Sequence, residues 1–378
     1  MQRATRNYFN FKTDSHKRFF ITPKNLSAMK DELDDFLDRE QHLNDLAFAK
    51  RVLFSQEIKA NNSIEGYNDD IELIKKITET AMNISDAKRR RILNLYHGYR
   101  YILKNYPINK DTLKELYDLL SEGILTPEEI ETMGEYYRKD KVYIVGPRLD
   151  IPPIEGMPAS ELESFMDCYL EFLNKNESFE SVTDHYIKSQ ILHLYLVYIH
   201  PYYDANGRTS RTTAMWYLLN NRAFPYIIFN RGINFHRKEY DRIIEDARAF
   251  NDFTFFVNYM MKTVKLELEK ESVMQSIASA TFEKLSATDY QTILYYLTMH
   301  NQIKTVCDFA TFFNYHNDRK RVQEIYETML LPLIDKGILE VTRTTHTNMF
   351  GNTPNEVLKL NKSKIDDDPQ KIKRLILE

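Results

Sequence analysis

The chain has 378 residues, 43% of them hydrophobic, with 51 lysines and arginines against 55 aspartates and glutamates and a net charge of −4. A balance this close to neutral argues against a protein that coats nucleic acid over its whole surface. Two cysteines, Cys168 and Cys307, argue against a disulfide framework or a zinc site. No apolar run approaches the roughly 20 residues of a membrane helix, and the first residues, MQRATRNYFNFK, lack a signal-peptide core. The expectation is a cytoplasmic chain without membrane contact. Sparse glycine and proline favour a mainly α fold, with enough residues for two domains.

Residues 1–22 are polar and aromatic without a clear period, and are expected as an ordered arm. From 26 to 59 apolar residues recur at helical spacing, Met29, Leu33 and Phe36 early and Val52, Phe54 and Ile58 late. That run is expected to stop at Ala60-Asn61-Asn62-Ser63-Ile64-Glu65-Gly66, where asparagines and glycine suit a helix end. Helix resumes over 70–105, with the basic knot Lys88-Arg89-Arg90-Arg91 on a solvated face, and again over 111–121 behind Asn109 and Asp111. The pattern breaks at 134–147. Two short aromatic and β-branched runs flank Lys139-Asp140 there, which predicts a hairpin with Val142, Tyr143, Ile144 and Val145 on its second strand. After Pro152-Pro153 come helices over 161–174 and 184–199, the latter carrying Ile187, Ile191, Leu194, Tyr195 and Tyr198. Another apolar helix covers 212–221, and further helices cover 237–250 and 253–278. Past 280 the expectation is three helices, over 288–300, 304–315 and 318–336, then strands over 338–342 and 356–360.

The stretch His200-Pro201-Tyr202-Tyr203-Asp204-Ala205-Asn206-Gly207-Arg208-Thr209-Ser210-Arg211 joins two of these helices. Asn206-Gly207 permits backbone conformations other residues resist, so that consecutive amides can point into one concavity. A helix starts there, and its unpaired amides and positive dipole end face the same spot. This is an anion site, and phosphate is the usual anion. Arg208 and Arg211, three apart, share a helix face and can clamp further oxygens. Asp204 is a hard oxygen ligand suited to Mg²⁺ bridging phosphates, and His200 can take a proton near neutral pH. Together they suit a base that activates a hydroxyl against a metal-bound nucleotide.

These residues resemble the signature of Fic domains, H-x-F-x-[DE]-[GA]-N-G-R-x-x-R, with Tyr202 in place of Phe as the single departure. The resemblance implies a Fic-type helical core that moves AMP from ATP, with Mg²⁺, to a Tyr, Thr or Ser hydroxyl of a target protein or of itself. It makes His200 the base, Asp204 the metal ligand, and Asn206 and Gly207 the anion cradle. Arg208 would hold the nucleotide's phosphates, Arg211 its γ-phosphate. The segment ending in Glu65-Gly66 resembles the inhibitory helix of the family, [ST]-x-x-x-E-[GN], with Asn61 where Ser or Thr is expected and Ser63 close by. Glu65 would then pair with Arg211 and take the γ-phosphate's place. The hairpin resembles the family's flap, which aligns a target peptide by strand addition, with 142–145 as the pairing edge. Tyr240 would stack on a base or lie in the core.

The C-terminal elements resemble a winged helix, with Lys320 and Arg321 on a recognition helix and Arg343 and His346 in the wing, facing DNA or a protein. The resulting division is an N-terminal helical region 1–105, a Fic core 106–278, a winged-helix-like domain 281–365 and a tail 366–378. Two classes of function stand: a self-restrained protein adenylyltransferase, or a DNA-binding or scaffolding regulator with a vestigial site. Within the first, removal of AMP and another nucleotidyl transfer stay open, as does a homodimer.

Overall fold

The computed structural model describes residues 5–11, 17–39, 54–67, 69, 71–80, 87–104, 106–144, 153–175, 177, 179, 181–221, 229–235, 237–281, 304–305, 323, 326–335, 337, 339–348 and 351–360. Its helices are α1 Ser27–Arg39, α2 Phe54–Ile64, α3 Ile71–Thr80, α4 Ala87–Ile102, α5 Lys110–Ser121, α6 Pro127–Thr132, α7 Leu162–Asn174, α8 Val182–Ile199, α9 Asn206–Asn220, α10 Phe229–Phe235, α11 Arg237–Phe250, α12 Thr254–Thr281 and α13 Leu331–Asp335. The strands are short pairs: β1 Asn7–Tyr8 with β2 Phe20–Ile21, and β3 Tyr143–Ile144 with β4 Ile154–Glu155, both antiparallel. The fold is mainly α, as expected. Among the described residues no helix is long and apolar enough to cross a membrane. The chain divides into two units, 1–267 and 268–378.

In the first unit α8 and α9 are buried along nearly their whole length, on every side, as helices at the centre of a core are. For α8 the reason is composition, with leucine, isoleucine and tyrosine on all faces. For α9 it is subtler, because Thr209, Ser210, Thr212 and Thr213 are fully buried. Ser210 and Thr213 spend their hydroxyls on carbonyls of their own helix, Gly207 at 2.9 Å and Thr209 at 2.8 Å, so those two can be buried at little cost. Trp216, also fully buried, meets Tyr101 edge-on at 5.5 Å.

Around this pair the other helices are set by local signals. A capping box of Ser181 and Asp184 opens α8, and Lys30 of α1 reaches Asp184 at 2.8 Å. Asn109 and Thr112 form the box that opens α5. The N-terminal arm is ordered through aromatics: Phe11 stacks on Tyr195 at 4.0 Å and Phe19 on Phe253 at 4.4 Å. Of the basic knot, Arg91 lies over the Tyr67 ring at 4.4 Å and Arg90 reaches Glu122 at 3.5 Å.

The second unit contains a three-stranded antiparallel sheet of order β5-β7-β6, with β5 Lys304–Thr305, β6 Leu339–Asn348 and β7 Gly351–Leu360. Lys304 and Thr305 were expected to open a helix; they form a strand against Leu358 and Val357 instead. Their place beside buried Leu358 explains the difference, since an edge strand covers one side of the β6–β7 hairpin. Both hairpin strands are longer than expected. Arg343 lies on β6 opposite Glu356 of β7, and His346 opposite Thr353. The expected helix over 288–300, together with Lys320 and Arg321, lies outside the described residues.

Candidate active site

The loop between α8 and α9 is shaped by two left-handed residues. His200 caps α8 with φ 52° and bonds back to the Leu196 carbonyl at 3.1 Å; Ala205 precedes α9 with φ 61°. The sequence pointed to Asn206-Gly207 for that freedom, but both are already helical. The reason is a two-point clasp. Asn206 accepts from the Tyr202 amide through Oδ1 at 3.0 Å and donates to the Tyr202 carbonyl through Nδ2 at 2.8 Å. Its side chain thus closes the loop, leaving its amide to the helix start. Tyr202, buried, stacks on Tyr117 with ring centroids 3.7 Å apart.

Around this loop the charged groups converge. Asp204 Oδ1 accepts from the Ala205 amide and from Arg208 at 3.2 Å, and the carboxylate is 42% exposed. Arg208 and Arg211 are both only 2% exposed. Arg208 also approaches the Leu120 carbonyl at 3.5 Å, and its buried Nε has no hydrogen-bond partner among the described residues. Arg211 donates twice to Asn61 Oδ1, at 3.2 and 2.7 Å, and once to Glu65 Oε1 at 2.5 Å. A Cβ on Gly207 would lie 2.5 Å from the same Glu65 oxygen. The carboxylate of Glu65 therefore sits directly over the first turn of α9.

Helix α2 delivers Glu65. It ends at Ile64, inside the expected stretch 60–66, with Asn61 and Asn62 still helical. Both asparagines are engaged elsewhere: Asn61 with Arg211 and the Tyr99 hydroxyl, Asn62 with Asp69 at 3.1 Å. Neither competes for its own backbone, the habit that makes asparagine a helix breaker. The end comes one turn later. The Tyr67 amide reaches the Asn62 carbonyl at 2.9 Å and the Gly66 amide that of Ser63 at 3.0 Å, with Gly66 at φ +89°; this is a Schellman end. Ser63 contributes its carbonyl, which also accepts from Arg237 at 2.8 Å.

The electrostatics follow. Burial works against charge on Glu65, but Arg211, Arg208 and Arg237 outweigh it and hold its carboxyl below the usual range. Burial lowers the His200 imidazole to about 4, so it is neutral at pH 7. Its Nδ1 faces the Val197 carbonyl at 3.4 Å.

Tyr240, given two roles by the sequence, lies in the core. It is 3% exposed, its hydroxyl meets His193 Nε2 at 2.9 Å, and its ring is covered by that histidine. The expected hairpin also differs. Tyr143 pairs with Glu155 and Ile144 with Ile154, so the partner strand follows the proline connector instead of preceding Lys139-Asp140. Residues 134–140 bend instead, because Arg138 is buried and the amides of Lys139 and Asp140 donate to the Tyr203 hydroxyl at 3.3 and 3.2 Å. Val142 is half-buried and Tyr143 is 62% exposed; Val145 lies outside the described residues.

Three residues of the site were missed in the sequence: Tyr99, Glu57 and Arg138. Glu57, one and two helical turns before Asn61 and Glu65, is fully buried and accepts from the amides of Asn230 and Arg231 at 2.8 and 3.3 Å. Burial raises its carboxyl to about 8 despite Arg231 and those amides. The Tyr99 hydroxyl receives Asn61 and Asn230, both at 3.1 Å, so a buried polar chain backs Arg211. The period-four row Glu57, Asn61 and Glu65, along α2 and just past its end, was the available hint.

Among the described residues no group of three or more His, Cys, Asp or Glu could hold a metal ion. A lone, half-exposed carboxylate still fits Mg²⁺, which commonly takes one or two protein carboxylates and completes its shell with phosphates and water.

Residues 107–218 match the Fic/DOC family. The chain is 28% identical over 260 residues to the protein adenylyltransferase Fic of Aedes aegypti, covering 67% of this chain and 47% of that protein. It is 30% identical over 225 residues to that of Drosophila melanogaster, covering 58% and 42%. The chain thus spans less than half the length of these relatives. Its fold is similar to a Fic family protein from Desulfovibrio desulfuricans (TM-score 0.53, 18% identity, 89% of this chain and 95% of that one). It is also similar to Fic-1 of C. elegans (TM-score 0.51, 22% identity, 68% and 76%).

Proposed function

A Fic/DOC domain occupies residues 107–218 of this chain, and from that premise we propose that it is a protein adenylyltransferase held in check by Glu65. The hydroxyl oxygen of a Tyr, Thr or Ser on a target protein attacks the α-phosphorus of ATP. The bond from that phosphorus to the bridging oxygen breaks, pyrophosphate leaves, and the hydroxyl proton passes to His200. A proton on Nδ1, directed at the Val197 carbonyl, leaves Nε2 free to accept it. The amides at the start of α9 and the guanidiniums of Arg208 and Arg211 hold phosphate oxygens, and the partnerless Nε of Arg208 suits an incoming anion. Asp204 would hold Mg²⁺, which neutralises phosphate charge when bound.

The observation that carries the proposal is the Glu65 carboxylate on Arg211 at 2.5 Å, over Gly207. An acid seated on buried guanidiniums at a helix N-terminus occupies the place an anionic ligand would take. ATP must displace it or bind with its γ-phosphate elsewhere, and a coupling of about 1–3 kcal/mol would restrain transfer roughly 5- to 150-fold.

Labelling with α-labelled ATP and Mg²⁺ tests this on the wild type, Glu65→Gly and Glu65→Gly/His200→Ala. Strong self-modification of Glu65→Gly alone is expected. Equal label on the wild type would remove the brake, and label surviving His200→Ala would remove the base. A second reading, release of AMP by a water oriented on Glu65, is favoured by the 30% exposure of that carboxylate. It predicts that the wild type strips label from the modified Glu65→Gly protein. The β6–β7 hairpin is the part of the second unit that would meet DNA or a protein. Duplex DNA retained on a filter at low salt and released at high salt would support the former.

A further inference from the structure

Arg138 is a buried arginine whose donors all end on main-chain carbonyls: Nε on His200 at 3.0 Å, Nη1 on Asp140 at 2.6 Å and Nη2 on Met157 at 2.6 Å. Its own amide donates to the Pro201 carbonyl at 3.1 Å. These acceptors belong to two pieces of structure. His200 and Pro201 open the loop that carries the candidate base. Asp140 and Met157 lie just outside the β3–β4 hairpin, flanking its open end on either strand, where the Gly156 amide also closes on the Val142 carbonyl at 2.9 Å. A Cβ on Gly156 would meet the Arg138 Nη2 at 3.1 Å, so the chain is drawn tightly over the guanidinium. Tyr203, from the same loop, adds a second tie by accepting the amides of Lys139 and Asp140.

His200 itself is in the left-handed region at φ 52°, a conformation that costs a non-glycine residue energy and persists only where its surroundings hold it. The bond to its carbonyl is one of those holds. We propose that Arg138 is a positioning residue that fixes the His200 main chain to both strands of the β3–β4 hairpin at its open end, setting the distance between the base and a hydroxyl presented along that hairpin. The assignment rests on the transferase reading above. The planar guanidinium suits the task because its donors leave in fixed directions, whereas a lysine ammonium is a single point that cannot reach all three carbonyls. Nothing in these contacts touches Arg208, Arg211 or Glu65, so ATP binding is separable from the positioning.

The test compares Glu65→Gly with Glu65→Gly/Arg138→Lys, measuring self-modification at saturating α-labelled ATP, ATP affinity by titration calorimetry, and the melting temperature. Transfer is expected to fall about 10- to 100-fold, the penalty of a misplaced reacting group, while ATP affinity stays within about threefold. Transfer within about threefold of Glu65→Gly overturns the proposal. So does a parallel loss of ATP affinity, which would make Arg138 a general structural residue. If Arg138→Lys does not fold, Tyr203→Phe is measured in its place. Loss of one hydrogen-bonding hydroxyl there should lower transfer about three- to tenfold at unchanged ATP affinity, and unchanged transfer counts against the tie. No label on Glu65→Gly at all would overturn the transferase reading, and this proposal with it.

Discussion

Asn61 joins the two halves of the site: it receives two hydrogen bonds from Arg211 and gives one to Tyr99. It stands where the family's inhibitory signature has a hydroxyl residue, and its longer amide spans a gap that a serine would leave. Replacing it with alanine strips Arg211 of two hydrogen bonds in a buried place while Glu65 keeps its own bond. Asn61→Ala should cost about 1.5–3 kcal/mol of stability, the range for hydrogen bonds to charged groups, read from urea unfolding. With its guanidinium less firmly aimed, the Glu65 brake should loosen. Self-modification is expected above the wild type and below Glu65→Gly. Wild-type labelling together with the full stability loss would mean that Asn61 serves packing alone. Gly207 is constrained for a related reason, since the space a methyl would need is filled by the carboxylate of Glu65.

The proposed brake rests also on one helix end. Helix α2 is buried through Ile58, Ala60 and Ile64 and stops in the Schellman turn that leaves Glu65 pointing at α9. Gly66 at φ +89° makes that turn, and nothing lies within 4 Å of the position a Cβ would occupy. Gly66→Ala therefore isolates the backbone term. It should lower stability by about 1–2 kcal/mol and raise self-modification several-fold as the turn relaxes; neither change would show that the turn does not aim Glu65. The pairing of Glu65 with Arg211 was expected only through the resemblance of 61–66 and 200–211 to two short family signatures; without them the segment reads as a plain helix end. The mainly helical core was legible in the sequence from its apolar spacing. The end of α2 fell within the expected stretch 60–66, but that Asn61 and Asn62 stay helical was not legible, because tertiary partners occupy the side chains that would otherwise compete for the backbone. The hairpin's true partner was hidden by the long connector, and Arg138 by having only carbonyls as partners, which leave no mark in a sequence. Ala205, not Asn206-Gly207, takes the left-handed turn because the Asn206 clasp is a feature of the folded loop.

At the scale of the molecule, groups with opposed shifts shape the response to pH. Burial lowers the imidazoles of His185, His193 and His200, the last to about 4. Below their ordinary value near 6.5 the unfolded chain takes up protons that the folded chain refuses, so stability is lost as pH falls from 6.5 toward 4. Glu65, held low by its arginines against the cost of burial, adds to the same acid limb once pH drops below about 4.5. Glu57 acts the other way. Its carboxyl is raised to about 8, so between 4.5 and 8 the folded chain holds a proton that the unfolded chain has released, and stability falls as pH rises through that window. The histidines and Glu57 oppose each other until the unfolded imidazoles have lost their protons, about one pH unit above 6.5, and beyond that Glu57 acts alone among these groups. Unfolding free energy should therefore peak near pH 6–7. It should then decline by up to about 1.4 kcal/mol per pH unit, the slope of one proton, before levelling above 8. Glu57→Gln removes the titrating group but leaves an amide nitrogen facing one of the Asn230 and Arg231 amides, at a cost of about 1–3 kcal/mol. Urea unfolding of this variant at pH 6.5, 7.25 and 8 should then show a free energy lower than the wild type's at 6.5 that rises as the unfolded chain's histidines finish losing their protons and levels by pH 8 without declining. A decline that persists in Glu57→Gln would place the alkaline limb elsewhere and leave Glu57 ionised in the core, stabilised by the two amides and Arg231.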